Sequence, residues 1–350
     1  MRTALIMAGG TGGHVFPGLA VADVLRERGW RVVWMGTRAG MEARLVAARG
    51  YELAAIRAAA IRGKGMLAAL LLPFNLLVGF WQAARAIFRL RPDVVLGMGG
   101  YVAFPGGMMA SLLARPLAVH EQNAIAGLTN RILAGVADKT MAAFPQALKG
   151  AEWTGNPVRE EIAALADPAE RYARRSGPLK LLVVGGSGGA QALNECVPRA
   201  IALLEPRPSV VHQSGEKNYA ALRAAYAAAG VQGELTPFID DVARRYAEAD
   251  LVICRAGAMT VAELSAGGVA SVLVPFPHAV DDHQTANARY LADQGAAILL
   301  AQAELAPESL AALLRTLDRP RLLEMARKAR GLGKPDAARI VADRCMELAR

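Results

Sequence analysis

Three kinds of residue in this chain are spaced for chemistry: glycine runs, imidazoles and carboxylates beside them, and side-chain amides in helical register. Gly9-Gly10-Thr11-Gly12-Gly13 is followed at once by His14, and Gly185-Gly186-Ser187-Gly188-Gly189 lies in the second half. Glycines between a strand and a helix let the backbone approach a diphosphate, and the first amides and dipole of the helix favour the anion. Neither run is G-x-G-x-x-G, neither carries the lysine of a Walker A loop, and Trp34-Met35-Gly36-Thr37 offers no ribose-binding acid. NAD therefore fits poorly. One such loop is equally well a tight turn, whereas two matched loops argue for a ligand shared by two halves.

His14 stands where a helix begins, and the helix dipole there favours a neutral, basic imidazole suited to taking a proton from a hydroxyl. A histidine that merely packs fits the same position. His120-Glu121-Gln122-Asn123 follows the apolar Leu117-Ala118-Val119 at the carboxyl end of a strand, where open α/β sheets bind ligands. Four polar residues in succession there read as a site rather than a core, with a capped loop as the alternative.

Cys254-Arg255-Ala256-Gly257-Ala258-Met259-Thr260-Val261-Ala262-Glu263 is again strand, small-residue loop and helix. Its amides can face a phosphate, and Glu263 can accept from both hydroxyls of a ribose or else sit on a solvated helix face. Gln284 and Asn287, three residues apart on a helix, form an amide pair suited to sugar hydroxyls. His278, Asp281, Asp282 and His283 are metal-ligand types, but no further ligand cluster accompanies them, so no metal is expected.

The elements that must position these groups alternate strand and helix, as parallel βαβ units do. Strands are expected at 3–7, 31–35, 93–96 and 117–119, and a second set at 179–184, 209–212, 251–254 and 271–274. The charged stretch after Asn156-Pro157-Val158-Arg159, with Asp167-Pro168, Arg174-Arg175 and Gly177-Pro178, reads as an interdomain connection. The expected organisation is a Rossmann-like domain over 1–160, a second over 161–334, and a terminal helix over 335–350 packing across both.

Composition agrees. Hydrophobic residues are 53% but aromatics only 5%, so the cores are aliphatic, as buried parallel strands require. The net charge of +9 is compatible with nucleic acid, an anionic membrane or phosphorylated substrates. Its cations are scattered among aliphatic residues without a nucleic-acid motif, which makes nucleic acid a poor partner. The cysteines Cys196, Cys254 and Cys345 lack metal or redox spacing and read as reduced, and the apolar run before Gly9 is too short for an export signal. Met66 to Trp81 is the most apolar segment, broken by Pro73 and Asn75 and flanked by Arg62, Lys64, Arg85, Arg89 and Arg91. It is too short to span a bilayer and fits either an anionic interface or a core helix.

Taken together, Gly9-Gly10-Thr11-Gly12-Gly13-His14, Gly97-Met98-Gly99-Gly100-Tyr101, His120-Glu121-Gln122-Asn123, Thr154-Gly155-Asn156-Pro157-Val158-Arg159, Gly185-Gly186-Ser187-Gly188-Gly189-Ala190 and His283-Gln284-Thr285-Ala286-Asn287 resemble the MurG family. These are bacterial UDP-N-acetylglucosamine:undecaprenyl-pyrophosphoryl-muramoyl-pentapeptide N-acetylglucosaminyltransferases. Gly188 departs from the family's usual glutamine in a loop whose backbone does the work. The resemblance implies the GT-B fold, with parallel sheets facing across a cleft, and an inverting, cofactor-free transfer from UDP-GlcNAc to lipid I in peptidoglycan synthesis, supporting cell shape and division. It implies donor contacts by Thr11, Gly12, Gly13, Asn123, Arg159, Ser187, Ile239 against uracil, Ala258, Met259, Thr260, Val261, Ala262, Glu263 and Gln284. It implies acceptor contacts by His14, Tyr101 and Glu121, with His14 or Glu121 as general base. The implied setting is peripheral, on the cytoplasmic side of the inner membrane at its anionic face and within reach of a cell-wall synthesis complex. A UDP-GlcNAc 2-epimerase of the same fold is the alternative.

Overall fold

The structure, a computed structural model, describes residues 1–58, 72–186 and 188–349. Ser187 and residues 66–71 of the Met66 to Trp81 segment therefore lie outside the described residues. The chain divides into two compact units, Met1–Arg159 with Asp336–Arg350, and Glu160–Pro335.

The first unit holds a seven-stranded sheet: β1 Thr3–Met7, β2 Arg31–Gly36, β3 Glu52–Ala55, β4 Val94–Gly97, β5 Leu117–Glu121, β6 Lys139–Ala142 and β7 Glu152–Trp153. Their spatial order is β3-β2-β1-β4-β5-β6-β7, parallel throughout. Its helices are α1 Gly12–Glu27, α2 Met41–Ala48, α3 Leu72–Leu90, α4 Ala103–Leu112 and α5 Leu128–Ala134. β1 shows why the sheet is covered on both faces. Ala4 and Ile6 pack with Val15, Leu19 and Ala22 of α1, whereas Leu5 and Met7 pack with Ala83 and Ile87 of α3 and Ala103 and Ala110 of α4. An unbroken apolar strand is the signature of that arrangement.

The second unit opens with α6 Glu160–Ala163 and α7 Pro168–Ala173, then runs β8 Lys180–Val184, α8 Gln191–Ala202, β9 Ser209–Gln213, α9 Tyr219–Ala228, β10 Glu234–Thr236, α10 Val242–Glu248 and β11 Leu251–Cys254. It continues with α11 Ala258–Gly267, β12 Ser271–Leu273, α12 His283–Ala292, β13 Ile298–Leu299, α13 Pro307–Arg315 and α14 Arg319–Leu332. The sheet order β10-β9-β8-β11-β12-β13 repeats the plan of the first unit. The stretch read from sequence as a connection is instead part of this unit. Arg171 and Tyr172 of α7 are buried, Arg171 donating to the carbonyls of Ala166, Tyr246 and Gly267 and Tyr172 to that of Asp250. A last helix, α15 Ala337–Leu348, belongs to the first unit, where Val341, Ala342 and Cys345 share a core with α1 and β1.

In each unit the strand order reverses direction at one place, between β1 and β4 and between β8 and β11. Loops leaving the carboxyl ends of strands diverge at such a switch point and open a crevice for ligands. All four loops there are glycine-bearing: 9–13, 97–100, 185–189 and 255–257.

Candidate functional site

At the first switch point two glycine loops lie back to back. A Cβ on Gly100 would stand 2.3 Å from the carbonyl oxygen of Gly9, and one on Gly99 3.1 Å from the His14 ring. Both glycines have φ near +80 to +90°, so the close approach and the backbone shape together require them. The first loop is held from below by Glu42, a carboxylate buried at the start of α2, which accepts from Thr37 N (3.0 Å), Thr37 Oγ1 (2.7 Å) and Gly10 N (3.4 Å). Glu42 was not anticipated from sequence. Its signal was the crowd of small residues: Cβ atoms on Gly9, Gly36 and Gly40 would all collide with it.

His14, the third residue of α1, is half-buried, and its Nδ1 lies 2.8 Å from Gln122 Oε1. Gln122 Nε2 donates to the His120 carbonyl oxygen (2.9 Å) and approaches His120 Nδ1 (3.1 Å), while His120 Nε2 lies 2.9 Å from the Gly155 carbonyl oxygen. These partners fix every proton. A carbonyl only accepts, so His120 carries its proton on Nε2 and leaves Nδ1 as the acceptor of the Gln122 amide. The Gln122 oxygen must then face His14, whose Nδ1 carries the hydrogen and whose Nε2 keeps its lone pair. Burial pushes His120 down to about 4, which keeps it neutral and the relay intact.

Sequence reasoning placed 120–123 in a polar loop beyond the strand, unsuited to a core. The structure differs: His120 and Glu121 end β5, and His120, Glu121 and Gln122 are all fully buried. They are accommodated because they satisfy one another and nearby backbone. Glu121 Oε1 accepts from Asn123 N (2.8 Å) and Asn123 Nδ2 (3.3 Å), and Oε2 from Gly127 N (3.2 Å) and Asn130 Nδ2 (2.8 Å). Tyr101 lies over the first loop, since a Cβ on Gly10 would touch its ring at 3.0 Å. Thr11 is exposed, Gly12 and Gly13 half-buried, and Arg159 half-buried where this unit ends.

At the second switch point α11 starts after Gly257, and the amides of Ala258, Met259 and Thr260 precede the first helical bond, Val261 N to Gly257 O. Val261 is fully buried, so it can offer a ligand only backbone, and Glu263 is buried but for 8% of its surface. Ile239 lies half-buried between β10 and α10. The amide pair expected on α12 is divided by the fold. Gln284 Oε1 accepts from Phe276 N (2.9 Å), while Asn287 is fully buried and donates to the Ala256 carbonyl oxygen (3.2 Å), bracing the loop before α11.

Comparison with known proteins agrees with this geometry. Residues 4–142 match the glycosyltransferase family 28 N-terminal domain and residues 180–341 its C-terminal domain. A protein of Aromatoleum aromaticum is 66% identical across all of this chain and 98% of its own length, and one of Azoarcus sp. strain BH72 is 65% identical across all of this chain and 99% of its own. Both are named UDP-N-acetylglucosamine--N-acetylmuramyl-(pentapeptide) pyrophosphoryl-undecaprenol N-acetylglucosamine transferase. The crystal structure of MurG from Acinetobacter baumannii superposes with a TM-score of 0.87 at 43% identity, covering 99% of this chain and 100% of that one. A UDP-GlcNAc 2-epimerase from Neisseria meningitidis shares the fold alone, with a TM-score of 0.68 at 12% identity, covering 99% of this chain and 100% of that one. With two matched domains, two repeated α/β sheets and full-length identity of this order, the chain belongs to the MurG family of glycosyltransferases.

Proposed function

We propose that this enzyme transfers N-acetylglucosamine from UDP-N-acetylglucosamine to lipid I, giving lipid II, with inversion at the anomeric carbon. The observation that carries the mechanism is the Gly155–His120–Gln122–His14 relay, which leaves the lone pair of His14 on Nε2. In this reading His14 Nε2 takes the proton of the acceptor hydroxyl as its oxygen attacks the anomeric carbon and the bond to UDP breaks. The negative charge that grows on the departing diphosphate is met by glycine-loop amides and the first amides of α11. Glu121 positions rather than reacts, because both its oxygens already accept two hydrogen bonds each.

Thr11, Gly12, Gly13, Asn123, Arg159, Ser187, Ile239, Gln284 and residues 258–263 are assigned to the donor, and Tyr101 with His14 to the acceptor. Glu263 is the group for the ribose hydroxyls. Among the described residues no three His, Cys, Asp or Glu side chains gather as a metal site. The transfer proposed here runs without a metal, so EDTA should leave the rate unchanged, and loss of activity in EDTA would overturn that part of the reading.

α3 is the membrane-facing element of the proposal. Phe74, Leu77, Trp81 and Phe88 are each more than 60% exposed on one face, Arg85 lies over the Trp81 ring, and Ala83 and Ile87 are buried on the opposite side. No helix among the described residues is long and apolar enough to cross a membrane. Such a face suits the headgroup boundary of an anionic bilayer.

The test is a transfer assay with labelled UDP-GlcNAc and a lipid I analogue. His14→Ala is expected to lower kcat by about a hundredfold or more with the KM for UDP-GlcNAc little changed. Full turnover in His14→Ala, with loss confined to Glu121→Gln, would reverse the two roles. UDP-GlcNAc alone should yield no UDP-ManNAc, the product of an epimerase.

A further inference from the structure

A cavity of about 610 Å³ opens beyond the carboxyl ends of β2 and β3, lined by Arg38, Arg57, Thr37, Asn75 and Gln82 among others. Two of these are guanidiniums without an ion-pair partner among the described residues, and an arginine cannot shed its charge. The cavity is built rather than incidental. Arg57 N donates to Gln82 Oε1 (2.5 Å), leaving the Gln82 amide nitrogen as a donor, and Gly79 lets the Arg57 carbonyl come within 2.9 Å of where a Cβ would stand. The neighbouring Glu42 carboxylate is taken up by Thr37 and Gly10 and neutralises neither arginine.

We infer that this cavity binds the diphosphate of the lipid-linked acceptor, an inference that rests on the transferase reading above. The acceptor has a fixed order: polyprenyl chain, diphosphate, then the sugar whose hydroxyl attacks. The first unit presents matching chemistry in the same order. The apolar stripe of α3 is flanked by Asn75 and Gln82 of the cavity, and Thr37 at the cavity's other wall shares the Glu42 carboxylate with the loop that leads to His14. The ends of β3 and β1 are two strand spacings apart, about 10 Å. That separation accommodates one sugar between the phosphates and the base. Paired guanidiniums with amide donors around them are the side chains that bind phosphate most strongly.

The experiment uses the full chain in detergent micelles with a short-chain lipid I analogue. In the Arg38→Gln/Arg57→Gln variant the KM for the acceptor should rise about tenfold or more, with the KM for UDP-GlcNAc within twofold of the parent. Inorganic pyrophosphate should compete with the acceptor in the parent and lose that effect in the variant, and the double lysine variant should recover part of it. An unchanged acceptor KM overturns the inference. So does a variant that keeps its acceptor KM in micelles but no longer sediments with acceptor-free phosphatidylglycerol vesicles, since the cavity then serves bulk lipid headgroups. If the parent itself transfers no GlcNAc, the functional reading fails instead, and calorimetry of pyrophosphate with parent and variant still decides the cavity: binding to both alike, or to neither, overturns it.

Discussion

At the scale of single residues the site depends on one amide. Gln122 receives the hydrogen of His14 through its oxygen and reaches His120 through its nitrogen, so a change there disturbs the proposed base without touching it. Gln122→Leu should lower kcat about tenfold or more while the KM for UDP-GlcNAc stays near the parent value, because an imidazole free to turn offers the wrong nitrogen. Steady-state kinetics with each substrate varied in turn would check it, and a rise confined to KM would count against the relay. His14 stood out in the sequence as a candidate because an imidazole directly follows a glycine run at a helix start, although a histidine that merely packs fits the same position. Gln122 and Glu42 were not, since a buried amide or carboxylate announces itself only through partners distant in the chain. Asn287 was misread for the same reason: helical spacing shows which residues share a face, not which face is buried.

Among the elements, the strands rich in Val, Leu and Ile were readable and those of mixed composition were not. β1, β4, β5, β8, β11 and β12 are dominated by aliphatic residues, whereas Lys139-Thr140-Met141-Ala142 of β6 carries too few to stand out and Glu52-Leu53-Ala54-Ala55 of β3 has no β-branched residue to separate it from a helix. Loops join these strands at the switch point through glycine contacts that tolerate little. Gly100→Ala puts a methyl group against the Gly9 carbonyl at a positive φ, and both loops must separate to admit it. A loss of about 2 kcal/mol or more of stability is expected together with weaker transfer, checked by thermal unfolding alongside the assay. For α3, the double change Leu77→Ser/Trp81→Ser removes exposed apolar surface from a face that supports no core. Sedimentation with anionic vesicles should fall while the melting temperature holds.

The whole molecule carries two histidines that acid will find. Burial holds His120 down at about 4 and His212 at about 3, against an ordinary value of 6.5. The unfolded chain therefore binds protons that the folded chain refuses as pH falls below 6.5. Stability from this source is complete above that value and drains away down to the folded values, by about 2 kcal/mol for each histidine at pH 5. Melting temperatures recorded from pH 7.5 to 4.5 should decline on this course, and His212→Asn should show a shallower decline. The return of α15 to the first unit has a consequence in time rather than in space. The second unit is topologically an insertion, and the ribosome delivers all of it before the residues that complete the α1 side of the first core. During synthesis the second unit, proposed to bind the nucleotide, can fold first, whereas the first unit, with the proposed base, must wait for the last fifteen residues. A chain interrupted before Asp336 would then be a nucleotide binder with an unfinished partner domain, visible as UDP binding without transfer.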